Sequence, residues 1–269
     1  MTCTAMQAAG KHVDATEGNT VSQRRVPNFT RIESVGSIDI VYTQGNRPSV
    51  KVVGKAKEVD CVMTYVRGNT LRVGYNSGSR MFNFSSGDDV KVYVTSPDLV
   101  GVTLRGSGDF ESKGKIDSDN LTVEIVGSGD ADMKYVICDN FTVNLRGSGD
   151  VEVDYLRSAT SNIWLRGSGD IEIKQDRVKN TNILLYGSGS IEVKAQRCGV
   201  INAYTYGRHQ AERFGTPPQQ ESQRLWQHRC ITTDGNAIRM YHHNPKDHLH
   251  HCGEDGLLVW VGQRLIHDM

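Results

Sequence analysis

Apolar and polar residues alternate along most of the chain up to residue 206, and glycine-rich turns interrupt the alternation at regular places. A period of two is typical of β-strands that bury one face, and no helical period of 3.6 fits the repeated segments. The pattern therefore predicts an all-β protein. The apolar residues predicted to point inward before the turns are Leu121, Val123, Ile125, Phe141, Val143, Leu145, Ile163, Leu165, Ile183 and Leu185.

The turns recur with a period of 20 residues, with one interval of 21, and carry the sequence Gly-Ser-Gly-Asp or Gly-Ser-Gly-Ser. Because the inward positions recur at the same offsets, successive units can stack in register as coils of a parallel β-solenoid, about five of them between residues 105 and 206. Glycine suits the corners because it adopts positive φ and lets neighbouring coils approach closely. The turn glycines are Gly106, Gly108, Gly127, Gly129, Gly147, Gly149, Gly167, Gly169, Gly187 and Gly189.

The chain divides into four segments. Residues 26–104 contain irregularly spaced short strands and a degenerate turn at Val35-Gly36-Ser37-Ile38-Asp39, which predicts an N-terminal β-region that caps the solenoid. The repeats occupy residues 105–207. Residues 1–25 begin with small residues that resemble the end of a secretory signal, so they are either a signal-peptide remnant or a disordered terminus.

Residues 208–269 differ in composition from the rest, since eight of the nine histidines lie beyond Gly207. One choice of codons for residues 224–229, read in a frame shifted by one base, encodes Gly-Tyr-Gly-Ser-Ile-Asp, which resembles the turn sequence of the repeat. Our hypothesis is that this tail is an out-of-frame translation of further coils. The alternative is a genuine segment whose histidines and cysteines at residues 241–252 could bind zinc or nickel; we expect no metal site there.

Short motifs precede the repeats, and they are Phe29-x-x-Ile32, Gly36-Ser37-x-Asp39-Ile40, Thr43-Gln44-Gly45 and Thr95-Ser96-Pro97-Asp98-Leu99. Together with the repeated turns, over about residues 26–206, they resemble the head GIN domain of auto-transporter adhesins from Bacteroidetes-type bacteria. The resemblance implies a secreted or surface-exposed all-β domain with a right-handed parallel β-helix-like fold and an adhesive role. It implies no catalytic residue.

Alternation places nine carboxylates in two outward columns. Stacked at about 4.8 Å, like charges repel and something must offset them. We expect the neighbouring arginine and lysine columns and backbone N–H groups to do so, without a cofactor. The alternative is calcium, for which the candidate ligands are Asp109, Asp130, Asp150, Asp170, Glu152 and Glu172.

A second outward strip lies on the strands before the turns and contains Trp164, Tyr186, Tyr204 and Tyr206, with Leu184 among them. Exposed aromatic rings in register suit a surface glycan or a protein partner. The same strip would instead be covered if the C-terminal segment folded over it or if the chain formed a homo-oligomer.

Charge and motifs restrict the function. Basic and acidic residues number 31 each, which argues against a nucleic-acid groove, and no apolar run is long enough for a transmembrane helix. His12 is the only histidine before the tail, so no Ser-His or Cys-His pair is expected. The sequence predicts a non-catalytic adhesion or binding module that is secreted, periplasmic or on the cell surface; the alternative is a polysaccharide-active enzyme that uses the acidic columns.

Overall fold

A computed structural model of the protein describes residues 11–13, 19–76, 90–206, 231–234 and 237–240. These residues form strands and one short helix, α1 (Ala56–Cys61). The strands before the first regular repeat are β1 (Lys11–Val13), β2 (Thr20–Arg24), β3 (Arg31–Gly36), β4 (Asp39–Gln44), β5 (Ser49–Gly54), β6 (Val62–Arg67), β7 (Thr70–Tyr75) and β8 (Lys91–Ser96).

The strands of the repeats and of the tail are β9 (Gly101–Gly106), β10 (Phe110–Asp117), β11 (Asn120–Gly127), β12 (Ala131–Gly147), β13 (Val151–Gly167), β14 (Asp170–Asp176), β15 (Asn180–Gly187), β16 (Ser190–Gln196), β17 (Val200–Tyr206), β18 (Ile231–Asp234) and β19 (Ala237–Met240). The predicted all-β class is confirmed.

Two columns of parallel strands form the body of the solenoid. The pre-turn sheet consists of β3, β9, β11, the second halves of β12 and β13, β15 and β17, each paired with the next. The post-turn sheet consists of β4, β10, the first halves of β12 and β13, β14 and β16. This arrangement confirms the predicted β-solenoid of about five turns.

The N-terminal coil is inserted into the stack out of chain order. Strand β3 pairs in parallel with both β7 and β9, and β4 pairs with both β8 and β10. The degenerate turn therefore lies directly beside the first regular one, with Gly36 opposite Gly106. Antiparallel strands cover this end of the solenoid, because β6 pairs with β7, and β5 pairs with β8 and β2.

The two terminal segments are described only in part. Strand β2 falls within residues 1–25, where the sequence predicts a signal remnant or a disordered terminus; its inward residues Thr20 and Ser22 are polar, so the hydrophobic alternation is missing there. In the tail, β18 and β19 form an antiparallel pair that continues the post-turn sheet beyond β16. The rest of residues 208–269 lies outside the described part, and the frame hypothesis stays a prediction.

The core lies between the two sheets and consists of the inward residues of every coil. Most are aliphatic or aromatic and less than 2% exposed, as the alternation requires. A small polar cluster interrupts the core between two successive coils: the Gln175 side-chain amide donates to Ser161 Oγ at 3.0 Å, and Thr181 Oγ1 donates to Gln175 Oε1 at 2.8 Å. These three side chains are buried and satisfy one another, which removes the cost of burying them without hydrogen bonds.

The glycine turns stack without room for a side chain. The first glycine of each turn has positive φ, for example 142° at Gly147, and its carbonyl oxygen accepts a hydrogen bond from the serine N–H of the next coil. A Cβ built at Gly147 would overlap the carbonyl oxygen of Gly127 one coil away. At Gly149 φ is outside the left-handed region, yet a Cβ there would overlap the carbonyl oxygen of Gly129.

Two substitutions separate close packing from backbone strain. Gly149→Ala should lower the free energy of unfolding by about 3 kcal/mol, since the new methyl group pushes on the backbone of the neighbouring coil. Gly114→Ala should cost only about 1 kcal/mol, because Gly114 has a φ of 97° but nothing within 4 Å of the new Cβ. Guanidinium denaturation of both variants measures the difference. Equal losses would contradict the close-packed turn.

Candidate functional site

The first acidic column is built into the backbone of the post-turn sheet. Asp109 Oδ1 accepts the backbone N–H of Asp130 at 2.9 Å, Asp130 Oδ1 that of Asp150 at 2.8 Å, and so on up the stack. The series begins at Asp39 and ends at Ser190, whose N–H and hydroxyl both donate to Asp170 Oδ1. Each carboxylate therefore binds a backbone donor at the position where the strand starts.

The second acidic column alternates with lysines. Lys134 Nζ lies 3.1 Å from Asp132 and 3.2 Å from Asp154, and Lys174 Nζ lies 2.7 Å from the other oxygen of Asp154. Asp154 occupies the place that lysine takes in the other coils. Hydrogen bonds from Lys174 and Lys134 hold the pKa of Asp154 below its ordinary value.

The carboxylates proposed as calcium ligands all have partners within the protein. The four aspartates accept backbone N–H groups, and the two glutamates lie near lysines. Glu172 lies 2.5 Å from Lys194 Nζ, and Glu152 lies 3.8 Å from Lys174 Nζ. In the described part of the chain, no three or more acidic, histidine or cysteine side chains are grouped so that they could hold a metal ion. The lysine and backbone N–H contacts are those that the structural interpretation predicts, but the expected contribution of the arginines is not seen, because Arg105 pairs with Glu33 and Glu124 on the pre-turn side instead. Calcium binding stays a prediction for the titration described below.

The aromatic patch lies on the outer side of the pre-turn sheet. It consists of Trp164, Leu184, Tyr186 and Tyr204, in three successive coils that stack in register. Trp164 and Tyr186 are each 46% exposed and Tyr204 is 41% exposed. Tyr206 follows Tyr186 in the backbone register of β17, and its side chain is outside the described part. The structure thus brings together four of the five residues of the predicted strip.

An open depression of about 350 Å³ lies at one side of the patch. Trp164, Tyr186, Arg146 and Arg166 line it. The Arg166 guanidinium carbon lies 5.7 Å from the centre of the Tyr186 ring, which is within range of a cation–π contact. The depression combines flat apolar rings with two guanidinium groups.

A ladder of asparagines, which the sequence analysis missed, borders the patch. The Asn182 amide donates to Asn162 Oδ1 at 2.9 Å, and the Asn202 amide donates to Asn182 Oδ1 at 3.1 Å. Their common offset of 20 residues was the available signal. An amide has two N–H donors and two acceptor lone pairs, so each asparagine keeps hydrogen-bonding capacity beyond the ladder.

The arrangement does not resemble a glycosidase cleft. Such an enzyme needs a pair of carboxylates flanking the bound sugar, with aromatic rings beside them. Here the acidic columns occupy the post-turn sheet and the aromatic patch occupies the pre-turn sheet. The tyrosines nearest to the acidic columns, Tyr135 and Tyr155, stack on each other with ring centres 4.2 Å apart. Nor does Cys138 suit nucleophilic chemistry, because burial raises the pKa of its thiol to about 12.

A family model described as "Putative auto-transporter adhesin, head GIN domain" matches residues 28–211. The match includes the N-terminal coil, all the regular glycine turns and the aromatic patch. No curated protein is significantly similar to the chain.

Solved structures with the same fold include a "putative adhesin" from Bacteroides fragilis, with 22% identity and a TM-score of 0.58, covering 73% of this chain and 98% of the other. A "putative lipid binding protein" from Parabacteroides distasonis has 21% identity and a TM-score of 0.50, covering 72% of this chain and 96% of the other. At these identities the similarity shows the fold alone.

The aspartate column predicts a difference between two changes at one position. Asp150→Ala removes the acceptor of the Asp170 N–H and should lower the free energy of unfolding by about 1–2 kcal/mol. Asp150→Asn keeps an oxygen there and should cost less than about 0.5 kcal/mol. Chemical denaturation compares the two variants.

Calcium gives a separate test of the acidic columns. Millimolar calcium should leave the melting temperature of the parent and of both variants unchanged. A rise of several degrees in the parent that Asp150→Asn abolishes would instead establish a cation site.

Asp154 predicts a pH dependence. Its lowered pKa means that it stabilises the fold fully above the ordinary carboxyl pKa of about 3.9, and that this contribution is lost as the pH falls through the lower folded value. Asp154→Asn should therefore cost about 0.5 kcal/mol at pH 7 and flatten the decline in stability below pH 4. Denaturation between pH 2.5 and 7 measures both, and exposed Asp119, changed to Asn, is the control. Parallel pH profiles for parent and Asp154→Asn would contradict the assignment.

Proposed function

Because the chain belongs to the family described as "Putative auto-transporter adhesin, head GIN domain", we propose that it is a non-catalytic adhesion module that binds surface partners through its aromatic patch. The exposed, in-register aromatic rings of Trp164, Tyr186 and Tyr204 are the observation that carries this proposal, and the half-buried Leu184 lies between them.

The patch is held on a rigid support. Its side chains stand on three neighbouring parallel strands, and the inward residues between them, such as Leu165 and Leu185, are 1% exposed. Rigid aromatic side chains supply a large contact area and lose little conformational entropy when a partner binds. A flat surface of this kind suits attachment to an extended partner.

The other outer face is less suited to attachment. Its acidic side chains are occupied by backbone N–H groups and by lysines, so a partner would have to break existing contacts in order to bind there. The separation of the acidic columns from the aromatic patch likewise supports a binding module over the polysaccharide-active enzyme.

An adhesive role implies a location where surface partners are accessible, so we place the chain outside the cytoplasm, either secreted, periplasmic or at the cell surface. None of the described helical residues forms a span long and apolar enough to cross a bilayer.

A bead-attachment experiment tests the proposal. Beads coated with the full chain are applied to intact bacterial cells and to intact epithelial cells, and the retained beads are counted under flow. The double change Trp164→Ala, Tyr204→Ala should lower retention at least tenfold, because it removes two exposed rings from the contact surface.

Tyr93→Ala is the matched control, since Tyr93 is similarly exposed, at 42%, but lies on β8, which extends the post-turn sheet beyond β4. It should leave bead retention unchanged. Retention that survives the loss of both patch rings, or that falls equally with Tyr93→Ala, would overturn the proposal. Release of reducing ends from polysaccharides incubated with the chain would establish the enzyme alternative.

A further inference from the structure

The arginines beside the aromatic patch differ from an equivalent arginine earlier in the same column. Arg105, Arg146 and Arg166 all stand at the end of a pre-turn strand, and each is exposed. Arg105 lies 3.4 Å from a carboxylate oxygen of Glu33 and 4.0 Å from one of Glu124. Its charge is therefore neutralised within the protein.

The neighbouring column explains why the later arginines differ. From Glu124 onward this column continues as Asn144, Trp164 and Leu184, so the carboxylate is replaced first by an amide and then by apolar side chains. Among the described residues, neither Arg146 nor Arg166 forms a salt bridge. Two positive charges thus border the aromatic rings without a carboxylate partner in the part of the chain that the structure describes.

We infer that the aromatic patch binds a polysaccharide whose sugar rings carry carboxylate groups. This inference rests on the proposed function and names the partner of the same surface. A sugar ring packs on Trp164, and its carboxylate accepts hydrogen bonds from the guanidinium groups of Arg146 and Arg166. Guanidinium groups bind carboxylates through two parallel hydrogen bonds, and the two side chains stand one coil apart, about 4.8 Å.

The asparagine ladder favours a glycan over an anionic lipid surface. Asn162, Asn182 and Asn202 run parallel to the ring column and present amide donors and acceptors to the hydroxyl groups of a sugar chain. Binding to a lipid surface would favour apolar side chains at this border, because the insertion of amide groups among acyl chains costs free energy. The post-turn face repels a polyanion because its carboxylates outnumber its lysines. The pre-turn face is therefore the one that suits an acidic glycan.

Calorimetric titration of the full chain tests the inference with matched ligands. The probes are oligomers of polygalacturonate, alginate and hyaluronan, each compared with its methyl-esterified form, which keeps the ring and loses the charge. At least one acidic glycan should bind, and its ester should bind about tenfold more weakly. The double change Arg146→Gln, Arg166→Gln should weaken binding of the acid at least tenfold, and so should Trp164→Ala.

Arg105→Gln is the matched control, because it removes the same charge from the same column at a residue already paired with Glu33 and Glu124. It should change the affinity less than about twofold. An equal loss with Arg105→Gln, or equal affinity for acid and ester, would overturn the inference.

The remaining outcomes separate this inference from the proposed function. If no acidic glycan binds, or if phosphatidylglycerol vesicles bind in a Trp164-dependent way and glycans do not, the glycan inference is wrong. The proposed function then still stands if Trp164→Ala, Tyr204→Ala abolishes bead attachment. If bead attachment survives that change, the proposed function is wrong as well, whatever the titrations show.

Discussion

The close stacking of the glycine turns is the constraint on which the other features of the solenoid depend. From Gly36 to Gly167 the carbonyl oxygen of the first turn glycine accepts a serine N–H from the next coil, and in the regular turns neither glycine leaves space for a Cβ. Coils joined in this way can rise only by one strand spacing, with no shift along the strand. The register is therefore the same from Gly36 to Gly187, and every outward position becomes a straight column.

Straight columns stack side chains of like charge at one strand spacing, so these side chains repel one another. The two faces of the solenoid offset this repulsion differently. On the post-turn face, the aspartates after the turn bind backbone N–H groups, and further out lysines alternate with carboxylates, with Asp154 taking a lysine position between Lys134 and Lys174. The carboxylates of that face therefore have hydrogen-bond or ion-pair partners within the protein, although they outnumber the lysines. On the pre-turn face Arg105 is paired with carboxylates, whereas Arg146 forms no salt bridge with a described residue, and the aromatic side chains begin one coil later at Trp164. This difference is the reason why we propose the pre-turn face, and not the post-turn face, as the binding surface.

The repeat in the sequence predicted the parallel solenoid, its inward residues and the outward position of Trp164, because a period of two and a period of 20 leave one consistent arrangement. It could not predict that the coil around Gly36 lies between two later segments, since pairing partners far apart in sequence leave no local signal. Strand β2 was missed because Thr20 and Ser22 point inward. That Arg146 has no salt-bridge partner among the described residues could not be predicted, because it depends on the register between the arginine column and the column that holds Glu124 and Asn144.

Hydroxyl-radical footprinting of the chain on intact cells tests most directly whether the pre-turn face is the binding surface. It compares oxidation of aromatic side chains in the free protein and in the cell-bound protein. We predict that Trp164 and Tyr204 become protected, while Tyr93 and Tyr135 on the post-turn sheet, 42% and 37% exposed, are oxidised as before. Protection of Tyr93 and Tyr135 with unchanged oxidation of Trp164 would contradict the account.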